Sequence, residues 1–109
     1  MDDVIIVLTN LPDREAALKL ANALVANKLA ACVNVLAGCT SVYRWKGTIE
    51  NAQEVPVLIK TRAARYAEIE AAIRALHPYE LPEIIAVPVV RGSDDYLRWV
   101  ADETGHFIG

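Results

Sequence analysis

The pattern of apolar residues at the start of the chain predicts a strand followed by a helix. Residues 4–9 are apolar except at their last position and rich in β-branched side chains, and Pro12 lies just beyond them, which is typical of a strand buried on both faces. From residue 14 to residue 28, apolar side chains recur at helical spacing. Asp13 stands immediately before this segment, where a carboxylate can cap the first turn. We therefore expect a strand and then an amphipathic helix.

The middle of the chain predicts extended structure with one tight turn. Residues 29–42 predict a long extended stretch with a bulge or bend near Gly38. The β-rich segments on either side of Lys46 and Gly47 predict a hairpin. Residues 55–61 then predict a further core strand.

The remaining residues predict a helix, a strand and a second helix. Apolar side chains recur at helical spacing over residues 63–76, and His77, followed by proline, is expected to end that helix. Residues 84–90 predict a last core strand, in which Pro88 favours an edge position or a bulge. Ser93 is placed to cap a short terminal helix.

This order of elements predicts an α+β fold. Strand, helix, strand, strand, helix and strand form the ferredoxin-like βαββαβ sandwich, here with an additional C-terminal helix, in a single domain over residues 1–109. The helices of such a domain cover one sheet face, so the other face of a monomer would be bare. Residues 29–59 form a longer extended segment than the strands of a small sheet need, and 54% of all residues in the chain are hydrophobic. We therefore expect self-association.

Charge and composition exclude several function classes. The net charge is −3, from 11 basic and 14 acidic residues, and it repels nucleic acid and anionic lipid. No apolar run approaches the ~20 residues of a membrane span, and the acidic start lacks the basic segment of a signal peptide. The five glycines are isolated, which argues against a phosphate-binding loop. We expect a cytoplasmic protein without nucleic-acid or membrane partners.

Thiol and imidazole side chains are the candidate ligands for a transition metal. Cys32 and Cys39 are the only cysteines, and an extended stretch between them would put them beyond disulfide reach, so both are expected to be reduced. The imidazoles are those of His77 and His106. A free cysteine in a buried strand is usually an inert side chain, which also fits Cys32, and His77 also fits simple helix termination. A metal site would need a cysteine to converge with His77, or copies from other subunits.

Charged residues offer a second group of candidates. Carboxylates occur at Glu50, Glu54, Glu80 and Glu83, where they can bind hard cations, take part in acid–base chemistry or simply be solvated. Lys60 lies inside a predicted core strand, and a buried lysine is rare unless it is paired. We expect Lys60 either to pair with a glutamate across an interface or to bind an anionic ligand.

Aromatic residues of the predicted hairpin favour a protein contact. The segment YRWKG places Tyr43 and Trp45 beside two cations. RNA-binding domains of this topology need stacking aromatics on the central strands, and residues 4–9 and 55–61 contain none. Tyr43 and Trp45, together with Trp99 of the terminal helix, are therefore predicted to lie between subunits.

Several segments of the chain, taken in order, resemble one known family. They are the TNLPD end of the first strand, KLAACVNV, YRWKGTIENAQEV, LIKTR, LHPYELPEIIAVPV and YLRW, and they cover nearly the whole chain. In these segments the chain resembles the CutA family, the divalent-cation tolerance proteins. The resemblance implies a ferredoxin-like subunit in a homotrimer similar to the PII signalling proteins. It also implies a cytoplasmic location in bacteria, tolerance to copper and other divalent metals, and no established catalytic activity.

The metal ligands proposed for the family carry over only in part. Some bacterial relatives have a cysteine at the end of the first strand and two histidines before the PY pair; these positions are here Thr9, Leu76 and His77. Thr9 is a poor ligand for copper. Cys32 matches the cysteine of the family's ACVN segment. The resemblance thus implies His77 and Cys32 as the metal ligands of this chain.

We expect a non-catalytic homotrimer of the metal-tolerance class that binds copper or another divalent cation weakly. The alternative is a PII-like sensor that binds a small anionic ligand through Lys60 in a cleft between subunits, lined by Glu54, Tyr79 and Glu80. An acylphosphatase-like enzyme would need a phosphate-binding loop after the first strand, where the chain has Arg14 but no glycine.

Overall fold

A five-stranded antiparallel sheet forms the centre of the computed structural model, which describes residues 3–105. The strand order β2-β4-β1-β5, with β3 paired to β4, is the ferredoxin-like arrangement that the sequence predicts. The elements in chain order are β1 (Val4–Leu11), α1 (Arg14–Ala26), β2 (Cys32–Val35), β3 (Cys39–Trp45), β4 (Thr48–Arg62), a 3₁₀ turn (Ala63–Arg65), α2 (Tyr66–Leu76), β5 (Ile85–Pro88) and α3 (Asp94–Glu103).

The hydrophobic core lies between the sheet and helices α1 and α2. Strands β1 and β4 pair along their length, from Val4 opposite Arg62 to Leu11 opposite Val55. Every second residue of these strands faces the helices, and each fully buried aliphatic side chain contributes about 1.5–3 kcal/mol to stability. The largest fully buried aliphatic residues of this cluster are Val7, Leu11, Leu20, Leu24, Val57, Ile59, Ile69 and Ile73.

The opposite sheet face is only partly covered. From Ile5 to Leu11, β1 alternates between buried and half-buried residues, so the prediction that this strand is buried on both faces was wrong. The physical reason is that α1 and α2 cover one face, whereas α3 covers only one end of the other, where Val100 packs against Val4 and Ala31. A half-buried apolar surface remains in the middle of this face, around Leu8.

Local capping fixes the helix ends. The side chain of Asp13 accepts a hydrogen bond from the N–H of Ala16 at 2.8 Å, and Ser93 caps α3 in the same way, which confirms both predicted N-caps. Helix α1 ends at Ala26, two residues before the predicted end. Lys28 adopts a left-handed φ of 59°, which is incompatible with continuing the helix.

The β3 and β4 strands form a long hairpin, here called the arm (residues 39–54). Lys46 and Gly47 connect them with φ values of 51° and 83°, as a two-residue turn with two left-handed positions requires. The prediction treated residues 48–49 and 55–61 as separate strands, but β4 is continuous over 15 residues, because β3 pairs with the part between them. The predicted interruption near Gly38 is confirmed, since it separates β2 from β3.

Strand β5 lies at the edge of the sheet beside β1, as Pro88 predicts. It spans four residues rather than the predicted 84–90, and all four are exposed. The prediction of a core strand was therefore wrong. Neither hydrophobic core cluster includes these side chains, so Ile85 and Val87 remain exposed to solvent at the sheet edge.

Helix α2 begins at Tyr66, because residues 63–65 form the 3₁₀ turn instead of its first turn. Its end agrees with the prediction: His77 has an extended backbone, and its N–H still donates to the carbonyl of Ile73 at 2.8 Å. The imidazole of His77 is thereby placed at the boundary between α2 and the loop that leads to β5.

A buried arginine fastens α3 to β4. The Arg62 guanidinium donates to the hydroxyl of Thr104 at 2.7 Å and to its carbonyl at 2.8 Å, and Arg65 donates to the same carbonyl at 2.8 Å. Thr104 donates in turn to the carbonyl of Val100 at 2.9 Å.

Among the residues that the structure describes, no helix is long and apolar enough to cross a membrane.

Candidate functional site

His77 is buried at the end of α2, and both of its ring nitrogens have partners. Nδ1 accepts a hydrogen bond from the backbone N–H of Tyr79 at 3.2 Å. Nε2 lies 2.5 Å from the carbonyl oxygen of Asn10, so it is Nε2 that carries the proton and donates. A metal ion at His77 would therefore have to displace one of two hydrogen bonds.

The structure does not bring Cys32 to His77 within one chain. Cys32 lies on β2 opposite Lys60, whereas Asn10, the hydrogen-bond partner of His77, lies opposite Pro56. Because Pro56 and Lys60 are four residues apart on β4, the two positions are separated by about 13 Å along the strand. Cys32 is a half-buried free thiol whose Sγ lies 4.0 Å from a side-chain oxygen of Asn34.

No three candidate ligands converge within residues 3–105. The side chains of His, Cys, Asp and Glu in this range form no group of three or more that could hold a metal ion. Cys39 is also a free thiol, close to Ser41. His106 lies outside the described residues. A complete transition-metal site normally has three or four ligands, so a single chain does not supply one from these residues.

Thr9, which stands where some relatives carry a cysteine, contributes no ligand chemistry. Its side chain is 1% exposed and lies opposite Val57, on the sheet face that the helices cover. Its hydroxyl has no hydrogen-bond partner within the described part of the chain. This position is therefore part of the core.

An open cleft of about 950 Å³ lies between the arm and the loop that joins α2 to β5. It unites three of the four residues predicted for a ligand cleft, Glu54, Tyr79 and Glu80. Because carboxylates outnumber cations along its wall, we call it the acidic cleft. The residues that give it its chemistry are Tyr43, Arg44, Trp45, Glu54, Tyr79, Glu80 and Glu83.

Lys60 is not part of the acidic cleft. It lies between Cys32 and Ile6 in the sheet, half-buried, and its ammonium group is 5.9 Å from the centre of the Tyr96 ring. A cation over an aromatic face gains electrostatic stabilisation. Within the chain, the partner of Lys60 is therefore an aromatic ring of α3 rather than the residues of the cleft.

Glu54 is the most deeply buried carboxylate of the cleft, at 8% exposure. The pKa of Tyr79 is raised, first by burial and then by the negative charge of Glu54, with a hydrogen bond between the two side chains adding to the shift. On the cleft wall, Glu83 accepts a hydrogen bond from the side-chain amide of Asn10 at 2.9 Å. The hydrogen bond from Asn10 thus holds the Glu83 carboxylate in place, and Glu54 is held by its burial in the wall.

Lys46, at the tip of the arm, reaches the edge of the acidic cleft. Its ammonium group lies 5.5 Å from the centre of the Trp45 ring and 3.7 Å from a carboxylate oxygen of Glu80. Both charged side chains are largely exposed, so this ion pair holds Lys46 only weakly. The contact shows that an ammonium group fits between a ring and a carboxylate here.

Tyr43 and Trp45 line the cleft, although their sequence pattern did not predict it. Both were predicted to lie between subunits, as was Trp99, which is exposed on α3 and packs against Tyr96 with ring centres 5.4 Å apart. The alternation of side chains along a strand puts Tyr43 and Trp45 on one face of β3 and could have indicated a shared site. The position of the arm across the cleft from the loop after His77 has no comparable sequence signal.

Comparison with known proteins identifies the family. The model of the family described as CutA1 divalent ion tolerance protein matches residues 5–103. The chain is 43% identical to a divalent-cation tolerance protein CutA of Thermus thermophilus over 92% of this chain and 97% of that protein. It is 44% identical to a chloroplastic CutA of Arabidopsis thaliana over 92% of this chain, but it spans only 55% of that longer protein. A solved CutA1 structure from Shewanella sp. SIB1 matches with a TM-score of 0.92 at 38% identity, covering 95% of this chain and 97% of the other. The chain therefore belongs to the CutA1 family of divalent ion tolerance proteins.

Proposed function

We propose that the protein acts in divalent-cation tolerance as a non-catalytic homotrimer that binds copper or another divalent cation weakly between its subunits. Membership of the CutA1 family supports the role in tolerance. The observation that carries the assembly is the sheet face that α1 and α2 leave uncovered. A half-buried apolar face is expensive to leave in water, and copies of the same chain can cover it.

The arm adds apolar surface for such an assembly. On it, Val42 is 66% exposed and Ile49 is 64% exposed, while Ile85 and Val87 are open on the edge strand β5. Exposed β-branched residues on a long hairpin and on an unpaired edge are suited to pairing with a neighbouring chain. These surfaces support self-association more strongly than contact with nucleic acid or a membrane, both of which the net charge of −3 disfavours.

We place the cation site between subunits because one chain does not bring three ligands together within residues 3–105. Cys32 and His77 remain the proposed ligands. Cys32 lies on the sheet face that α1 and α2 leave uncovered, since the adjacent Val33 packs into the helix-covered core. Symmetry copies could supply the missing ligands, and His77 would join only by giving up one hydrogen bond.

The anionic-ligand alternative has less support. Lys60, its proposed anchor, contacts Tyr96 and lies away from Glu54. The wall of the acidic cleft carries three carboxylates and one guanidinium, and this excess of negative charge repels an anion. We also propose a cytoplasmic location, on the composition of the chain.

Two measurements test this function. Light scattering during size-exclusion chromatography should give about three times the 11.9 kDa chain mass, and a monomeric mass would contradict the assembly. Calorimetric titration with Cu²⁺ should give saturable weak binding that Cys32→Ser removes and the matched variant Cys39→Ser retains. Equal binding by both variants would contradict the role of Cys32.

A further inference from the structure

We draw no further inference here: the strongest candidate, the largely apolar groove between α1 and the edge strand β2, is an unpartnered surface, and nothing in the structure shows what covers it.

Discussion

Replacing Thr9 with valine should stabilise the protein. Thr9 is 1% exposed, and within residues 3–105 its hydroxyl has no hydrogen-bond partner. A buried hydroxyl without a partner costs about 1–3 kcal/mol, because it has lost its bonds to water. Valine has nearly the same shape and introduces a methyl group in place of the hydroxyl. We therefore expect Thr9→Val to raise the free energy of unfolding by about 1 kcal/mol.

Thr61 provides a matched control with the opposite sign. It is fully buried on the same helix-covered sheet face, opposite Ile5, but its hydroxyl donates to the carbonyl of Leu29 at 2.6 Å. Thr61→Val removes that hydrogen bond and leaves the carbonyl without this donor, at a cost of about 1–3 kcal/mol. Strand propensity cancels between the two variants, since both exchange threonine for valine within a strand.

Guanidinium unfolding followed by circular dichroism measures the difference. The two variants and the parent chain are compared at one protein concentration, because self-association would make stability depend on concentration. Their transition midpoints should bracket that of the parent chain, with unchanged slopes. If Thr9→Val lowers the midpoint as much as Thr61→Val does, the hydroxyl of Thr9 has a partner and the reasoning is refuted.

Three further predictions concern the contacts of α3 and His77 and the pH dependence of stability. Thr104→Val should lower the free energy of unfolding by about 1–3 kcal/mol, because it deprives buried Arg62 of a hydrogen-bond acceptor; chemical unfolding measures it. His77→Ala should cost a similar amount, about 1–3 kcal/mol, by leaving the carbonyl of Asn10 without this donor. The pKa of Tyr79 is raised in the folded state, so its stabilising contribution is complete below about pH 10 and is lost as pH rises through the folded-state pKa; unfolding midpoints measured from pH 9 to pH 12 should fall less steeply in Tyr79→Phe.

Each of these predictions has an outcome that contradicts it. Unchanged stability of Thr104→Val would show that Arg62 finds an equivalent acceptor. A His77→Ala variant as stable as the parent would show that water replaces the imidazole at Asn10. Identical pH profiles for the parent chain and Tyr79→Phe would assign the alkaline loss of stability to other groups.

Local sequence signals predicted the local structure well. Asp13 and Ser93 act within three residues of the amide groups that they cap, so residue type and position were sufficient. The turn at Gly47 is equally local, because it depends on left-handed backbone angles that glycine adopts without cost. The strand order followed from the sequence of elements, since few connections of this type are possible.

Contacts between segments that are distant in the chain were harder to predict from the sequence. Lys60 was correctly placed in a central strand, but its Tyr96 partner depends on how α3 crosses the sheet. Burial of β5 was overestimated, because an apolar run does not reveal whether a helix reaches the strand beside it. Glu54 and Tyr79 were predicted to share a cleft, but the sequence did not reveal that arm residues such as Trp45 line the same cavity.

The contacts of His77, a predicted metal ligand, also fix part of the wall of the acidic cleft. Its Nε2 holds the carbonyl of Asn10, whose amide group donates to Glu83 at 2.9 Å. Its Nδ1 accepts a hydrogen bond from the backbone N–H of Tyr79, whose side chain lines the same cleft. One imidazole thus positions two residues of the cleft wall, Asn10 and Tyr79. A metal ion that took either nitrogen would break one of these two hydrogen bonds, so metal binding at His77 should loosen the contact of the α2 end with Asn10 or with Tyr79.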